Sequence, residues 1–177
     1  MDVIRLHDLQ FKPYISAETI QRRIKEMAAQ MNEELKHERP VFIGVLNGVF
    51  LFAAEIMKEL TMECEITFVK LNSYNGTRSG GQVATNIGLN GSITGRNVVI
   101  LEDIVDTGKT IVELLHQLKE HKPDTIRLAT LLFKPDALER DVEINYCGFK
   151  VANEFLVGFG LDYDGLGRNL KDIYVKC

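Results

Sequence analysis

Two adjacent carboxylates, followed by a loop that carries hydroxyl groups and a glycine, are the residues of this 177-residue chain best placed to do chemistry. Glu102 and Asp103 follow the apolar residues 98–101, and the loop DTGKT (residues 106–110) leads into a segment with helical periodicity. The unpartnered N–H groups of such a loop and helix start, together with the helix dipole, form a cradle for a phosphate. Two neighbouring acids repel each other unless a cation or hydroxyl groups lie beside them. The pattern therefore predicts a sugar-phosphate site, in which the carboxylates accept hydrogen bonds from sugar hydroxyls.

Two other interpretations of this segment explain less of it. A capped helix start accounts for Asp106 or Thr107, but not for the preceding carboxylate pair. The sequence TGKT is similar to the end of a Walker A loop, but that motif requires glycine at position 103. This chain has Asp103 there, and its charge would repel the phosphates of a nucleotide.

Strand and helix patterns alternate on both sides of the segment. Short apolar runs predict strands, and apolar residues at helical spacing predict helices. The predicted strands are Val41–Leu46, 64–71, 97–101 and Thr125–Phe133, with shorter ones near 142–146, 155–159 and, at an edge, 173–175. The predicted helices are one capped by Ser16, one over about residues 50–60, and one that carries Ile111, Leu114, Leu115 and Leu118 and ends at Pro123.

This alternation predicts an α/β fold in a single domain over residues 1–177, with a mostly parallel sheet and helices on both faces. Ligands of such sheets bind at the carboxyl ends of the strands, which is where the carboxylate pair is expected. The polar, glycine-rich residues 72–82 predict a mobile hairpin tip, and residues 83–89 predict an antiparallel return strand.

Composition and charge exclude several classes of protein. Apolar residues make up 45% and charged residues 26%, as in ordinary globular domains, which argues against disordered, collagen-like and disulfide-rich chains. The net charge is −4 with no long basic block, so no nucleic-acid partner is expected, and no apolar run is long enough to predict a membrane span. The chain has an odd number of cysteines, which are Cys64, Cys147 and Cys177, and its four histidines lack the spacing of metal ligands. The first ten residues lack the apolar stretch of a signal peptide. We therefore expect a cytoplasmic protein with reduced thiols.

Residues 102–110 resemble the phosphoribosyl-pyrophosphate (PRPP) signature of the type I phosphoribosyltransferases. Four further segments match, in order, the hypoxanthine and hypoxanthine-guanine branch: Leu46-Asn47-Gly48, Ser73-Tyr74, Lys134, and residues 155–168. The resemblance implies a mostly parallel twisted sheet flanked by helices, with a small hood built from terminal segments and a flexible antiparallel loop. It also implies a homodimer or homotetramer.

The resemblance implies one reaction, in which a 6-oxopurine base and PRPP give a purine nucleoside 5′-monophosphate and pyrophosphate, with Mg²⁺ as cofactor. Hypoxanthine is the expected purine substrate, and guanine is expected as a second one. Asp106 is the expected general base at purine N7. Lys134 is expected to donate to O6, Phe155 to stack on the purine, and the backbone of Leu156 to meet its far edge.

The remaining roles are implied by the same match. The expected ligands of the PRPP ribose and 5′-phosphate are Glu102, Asp103, Asp106, Thr107, Gly108, Lys109 and Thr110. The expected ligands of the pyrophosphate are Leu46, Asn47, Gly48, Ser73, Tyr74 and Arg168. The expected purine ligands are Lys134, Phe155, Leu156 and Asp162, and the expected magnesium ligands are Asp162, Glu102 and Asp103.

The chain departs from the family at Asn47, where many members have lysine, and at Leu156, where valine is frequent. In the family the loop after the first strand contacts pyrophosphate mainly through its backbone, around a cis peptide. Two alternatives to the enzyme are a regulator that binds PRPP without catalysis and a phosphoribosyltransferase for another base. Hypoxanthine, guanine and xanthine differ at position 2, which backbone atoms contact in the family, so all three bases stay open.

Overall fold

The computed structural model describes residues 2–71, 89 and 91–177, which contain nine strands, three α-helices and one short 3-10 helix (Pro135–Ala137). The strands are β1 (Ile4–Leu6), β2 (Leu9–Ile15), β3 (Val41–Leu46), β4 (Glu65–Lys70), β5 (Asn97–Val105), β6 (Thr125–Phe133), β7 (Tyr146–Lys150), β8 (Leu156–Val157) and β9 (Ile173–Lys176). The helices are α1 (Ala17–Leu35), α2 (Phe50–Glu59) and α3 (Lys109–Glu120). The predicted loop at residues 72–82 and all of the predicted strand 83–89 except Leu89 lie outside the described residues.

A five-stranded sheet with the order β4-β3-β5-β6-β7 forms the centre, and all of its neighbouring strands are parallel. Phe42 and Val99 on one face pack with the apolar side of α1 and α2. Ile43 and Ile100 on the other face pack with α3. The prediction of a parallel sheet with helices on both faces is thus confirmed. None of the described helices is long and apolar enough to cross a membrane.

A second, antiparallel sheet joins the two ends of the chain in the order β1-β2-β9-β8. Its small core contains Phe11, Val157 and Tyr174. The Ser16 side chain caps α1, where its Oγ accepts from the Thr19 N–H at 3.2 Å. The buried Asp172 accepts from the Ala17 N–H at 2.6 Å, which ties this sheet to the start of α1. This sheet is the hood that the resemblance implied.

Strand β5 is longer than its apolar run predicts. It continues past Leu101 to Val105, because pairing with β6 persists to the point where Val105 lies opposite Phe133. The two carboxylates therefore lie within the strand rather than after it. Pairing with a neighbouring strand holds their backbone in place, which a flexible loop would not do.

Strands β1 and β2 were not predicted from the sequence, and four further differences lie after residue 110. The strand expected near residues 142–146 begins at Tyr146, because the Asn145 side chain accepts from the Leu128 N–H at 2.7 Å and occupies the start of that edge. Helix α3 ends before Pro123, where the His121 N–H closes the last turn on Leu118. Strand β8 covers only two of the predicted residues 155–159, since the chain turns at Gly158. Strand β9 is an interior strand of the hood, not an edge strand, because it pairs with both β2 and β8.

The strand order changes direction between β3 and β5. Strand β4 lies on one side of β3, whereas β5 and the strands after it lie on the other. In open parallel sheets the crevice at such a reversal, beside the carboxyl ends of the strands, is where ligands bind. Here the crevice lies between the loop that follows Leu46 and the carboxylates of β5.

Candidate active site

A pocket opens where β5 ends and α3 begins. It is lined by residues 102–108 together with Thr110 and Ile111. Gly108 has a φ of 79° and precedes the first turn of α3, which no side chain caps. Among these first amides, the Lys109 N–H makes a long contact of 3.4 Å with Thr107 Oγ1. The carboxylate pair and the uncapped start of α3 thus line one pocket, which is the arrangement that the residue pattern predicted for a phosphate site.

Glu102 is the most deeply buried acid of this pocket. Its residue is 8% exposed, and its Oε2 has no hydrogen-bond partner among the described residues. Burial first, and then the neighbouring Asp103 side chain, raise the pKa of the Glu102 carboxyl well above its usual value of 4.5. A buried polar atom without a partner in the protein is a position that a ligand can satisfy.

Because of this environment, we expect ionised Glu102 to lower the free energy of unfolding at neutral pH. A raised pKa means that the folded chain binds the proton more tightly than the unfolded chain, so stability falls as pH rises above the unfolded value. Glu102→Gln should therefore raise Tm at pH 7.5 by about 2–8 °C and change it little near pH 4. Thermal denaturation in magnesium-free buffer at both pH values measures this effect, with Glu154→Gln on the exposed surface as control. An unchanged or lower Tm at pH 7.5 would contradict the prediction.

Asp106 and Lys134 form an ion pair at the ends of β5 and β6. Lys134 Nζ donates to Asp106 Oδ2 at 3.0 Å, and the Lys134 N–H donates to the Val105 carbonyl at 2.9 Å. Lys134 is 7% exposed, whereas the Asp106 side chain is 45% exposed. A surface lysine after a strand would be solvated, so its burial beside a carboxylate distinguishes this one. Asp106 thus contacts Lys134 and does not cap α3.

Three segments of the chain meet tightly at Gly48. A Cβ built on Gly48 would lie 1.5 Å from Asp103 Oδ2, and one built on Gly160 would lie 1.9 Å from the Gly48 carbonyl oxygen. The end of β5, the loop after β3 and the loop after β8 therefore converge at one point. The peptide between Leu46 and Asn47 in this loop is cis, as the resemblance implied. No role was predicted for Gly160, whose only signal in the sequence is its place in the run GFG.

Arg168 and Asp162 lie beside this point of convergence. The Arg168 guanidinium donates to the Gly160 carbonyl at 2.7 Å and pairs with Asp162 Oδ1 at 2.7 Å. Asp162 Oδ2 accepts from the Gly165 N–H at 2.7 Å. Gly48 thus approaches Asp103 directly and is connected to Arg168 and Asp162 through Gly160. The sequence assigned these residues, except Gly160, to the pyrophosphate and its metal.

The three carboxylates expected to bind magnesium do not form one cluster. Within the described ranges, no group of three His, Cys, Asp or Glu side chains is arranged to hold an ion. Glu102 and Asp103 line the pocket at β5, while Asp162 is held by Arg168 and Gly165. This donor set suits Mg²⁺ that takes one or two carboxylates and completes its shell with phosphate oxygens and water.

At the edge of β8 that pairs with no described strand, Phe155 exposes its side chain and Leu156 presents its backbone groups. Phe155 is 42% exposed, so it is not the core aromatic that its type alone would suggest. The Leu156 side chain is buried, and Leu156 lies opposite Val175. Because the Lys176 N–H donates to the Phe155 carbonyl at 3.0 Å, Leu156 is in a non-hydrogen-bonded pair. Its own N–H and C=O point away from β9, toward a side where no described strand pairs with β8.

Some predicted ligands lie elsewhere than expected or outside the described residues. The Lys109 side chain pairs with Glu139 at 2.5 Å and is not among the pocket-lining groups, which leaves its backbone as the part near the pocket. Ser73 and Tyr74 lie outside the described residues. Asn47 lies in the loop between β3 and α2, next to Gly48.

Comparison with known proteins agrees with this geometry. Residues 15–164 match the phosphoribosyl transferase domain family. The hypoxanthine-guanine phosphoribosyltransferase of Bacillus subtilis is 38% identical over 170 residues, which cover 96% of this chain and 94% of that protein. The hypoxanthine-guanine-xanthine phosphoribosyltransferase of Tritrichomonas foetus is 39% identical over 155 residues, or 87% of this chain and 85% of the relative.

A longer relative and a solved structure complete the comparison. The bifunctional protein TilS/HprT of Listeria monocytogenes is 39% identical over 94% of this chain, but this match spans only 26% of that relative. A crystal structure of a Bacillus anthracis hypoxanthine-guanine phosphoribosyltransferase superimposes with a TM-score of 0.86 at 35% identity, covering 94% of this chain and 96% of that one. The chain therefore belongs to the phosphoribosyl transferase family, within its hypoxanthine-guanine phosphoribosyltransferase branch.

Proposed function

We propose that this chain salvages purines by transferring the 5-phosphoribosyl group of PRPP to N9 of hypoxanthine and of guanine. The N9–C1′ bond forms, the bond from C1′ to pyrophosphate breaks, and the products are IMP or GMP and pyrophosphate. The observation that carries this proposal is the buried Lys134 paired with Asp106 beside the uncapped start of α3. A donor for a 6-oxo group and an acceptor for the N7 proton lie together there.

PRPP would lie along the carboxyl ends of β3 and β5. Backbone N–H groups and hydroxyls of residues 106–110 would bind the 5′-phosphate. Glu102 and Asp103 would accept hydrogen bonds from the ribose hydroxyls, which would satisfy the unpartnered Glu102 Oε2. The backbone of residues 46–48 and the guanidinium of Arg168 would hold the pyrophosphate, with Ser73 and Tyr74 as further proposed ligands.

The base would lie between Phe155 and the Asp106–Lys134 pair. Lys134 Nζ would donate to O6, Phe155 would stack on the ring, and the outward-facing backbone groups of Leu156 would meet its far edge. Asp106 would accept the N7 proton as N9 attacks C1′. Asp162 would lie near the pyrophosphate.

Magnesium would enter with PRPP and be held by Asp162 or by the Glu102–Asp103 pair, together with pyrophosphate oxygens and water. The ion would offset the charge that accumulates on the leaving pyrophosphate. Arg168, which is paired with Asp162 in this structure, would supply a second positive group there.

The preferred purine base, the oligomeric state and the cellular location of the protein stay predictions. Because one relative is named for xanthine as well as hypoxanthine and guanine, we include xanthine among the bases to be assayed. A homodimer or homotetramer and a cytoplasmic location remain the expectations from sequence.

Lys134→Met is expected to lower kcat/KM for hypoxanthine by about 10- to 100-fold, because a charge-assisted hydrogen bond to O6 is lost. The rate with adenine, whose 6-amino group cannot accept that bond, should change much less. The ratio of kcat/KM for hypoxanthine to kcat/KM for adenine should therefore fall. Initial rates with both bases measure this change. Lys150→Met on the exposed end of β7 is the matched control. An equal loss with both bases would assign Lys134 to general structure and not to base selection.

A further inference from the structure

Phe155 is exposed, yet aromatic rings hold it on two sides. Its ring lies 6.0 Å from the ring of the fully buried Phe11, at an angle of 43°. It lies 5.7 Å from the ring of Tyr163 and is almost perpendicular to it, at 86°. Tyr163 also approaches Phe11, at 6.3 Å, so the three rings form one cluster. Contacts of this kind fix a ring while leaving the rest of its surface accessible.

Tyr163 is itself anchored to the turn between β1 and β2. Its hydroxyl donates to Asp8 Oδ1 at 2.7 Å, although the two residues are 155 positions apart in the chain. The His7 ring packs against the Tyr163 ring at 5.4 Å with an interplanar angle of 82°, and His7 Nε2 lies 3.4 Å from the Asp164 carbonyl. The turn between β1 and β2 therefore holds both the ring and the hydroxyl of Tyr163.

The backbone of Tyr163 is held as firmly as its side chain. Its N–H and C=O both bond to Leu166, at 2.9 and 3.0 Å, which closes a two-residue turn. Asp164 and Gly165 in this turn have φ values of 45° and 85°, the pattern of a tight hairpin. Tyr163 also directly follows Asp162, so it links the ring cluster to the proposed pyrophosphate side.

We propose that Tyr163 is a positioning residue for the purine, which acts by fixing the Phe155 ring and is held in place by Asp8. This inference rests on the proposed function, since it takes Phe155 as the ring that stacks on the base. A stacking ring that is free to turn must be ordered when the base binds, and that entropy cost weakens binding. Loss of Tyr163 should thus weaken binding of the base while binding of PRPP stays unchanged.

The test compares KM for hypoxanthine with KM for PRPP in the unmodified 177-residue chain and in its variants. Tyr163→Leu should raise KM for hypoxanthine about three- to tenfold, the range of one aromatic pair. KM for PRPP and kcat should stay within about twofold. Tyr14→Leu removes an exposed tyrosine from β2 of the same sheet and is the matched control, with Tm recorded for every variant.

Two milder variants separate the hydroxyl from the ring and guard against misfolding. Tyr163→Phe and Asp8→Ala should each raise KM for hypoxanthine by less than Tyr163→Leu does. The Asp8→Ala, Tyr163→Phe double variant should match either single one, because all three lack the same hydrogen bond. A proportional rise in both KM values, or no rise with Tyr163→Leu in an enzyme that turns over hypoxanthine, would overturn the inference. Absence of turnover in the unmodified enzyme would instead overturn the proposed function itself.

Discussion

Asp106→Asn is expected to lower kcat with hypoxanthine by about 10²–10⁴-fold, the usual contribution of a positioned general base. The asparagine side chain has the same shape and can still accept a hydrogen bond from Lys134 Nζ, which lies 3.0 Å from Asp106 Oδ2. It cannot, however, take the N7 proton when N9 attacks C1′. The loss should therefore appear in kcat, while KM for PRPP changes little. Initial rates at saturating PRPP measure it.

The matched control for this variant is Asp124→Asn. Asp124 is exposed just before β6, at the opposite end of the strand from Lys134, so the same chemical change occurs away from the site. We expect the control to keep the unmodified rate. A kcat for Asp106→Asn within about threefold of the unmodified enzyme would rule out the role of general base.

Gly48→Ala is expected to reduce kcat/KM for PRPP by about 10²-fold or more, because the pyrophosphate loop and Asp103 cannot keep their positions. The added methyl group would lie 1.5 Å from Asp103 Oδ2. The backbone at Gly48 does not have a positive φ, so the expected loss comes from displacement of the Asp103 carboxylate and not from the conformation of alanine itself. Steady-state kinetics with PRPP as the varied substrate measure this loss.

Gly44→Ala, four residues earlier, is the matched control for Gly48→Ala. Its Cβ would meet the ring of Phe68 at 2.7 Å, but Phe68 is a partly exposed side chain on β4 that can turn aside. This variant should fold and retain PRPP binding, with a modest fall in Tm. If Gly48→Ala bound PRPP normally, the convergence of the three segments at Gly48 would not form the substrate site.

The sequence predicted the central sheet well because its strands are short apolar runs between strong turn signals. Val41–Leu46 and Thr125–Phe133 agree with the structure to the residue. Hydrophobic patterns do not predict the end of a strand that is extended only by hydrogen bonds to its neighbour, as at the polar end of β5. They also failed for β1 and β2 of the hood, where residues such as Lys12 and Pro13 hide the alternation and the partner β9 lies at the far end of the chain.

The site was predicted in composition but not in its contacts. The motif at residues 102–110 indicated a sugar phosphate from residue types alone, whereas the roles of Lys134 and Phe155 came from the family resemblance. The contact of Lys134 with Asp106 depends on the register of two strands that lie 28 residues apart in sequence. The approach of Gly160 to Gly48 and of Tyr163 to Phe155 depends on the hood, which no local pattern specifies.

The central claim is tested most directly by a spectrophotometric initial-rate assay of the full chain with PRPP and Mg²⁺. Hypoxanthine, guanine, xanthine and adenine are supplied in turn. Our account predicts nucleotide formation from hypoxanthine and guanine, a far lower rate from adenine, and a rate from hypoxanthine that Asp106→Asn sharply lowers. Measurable binding of PRPP without turnover of any purine would contradict it, and would identify a protein that binds PRPP without catalysing transfer.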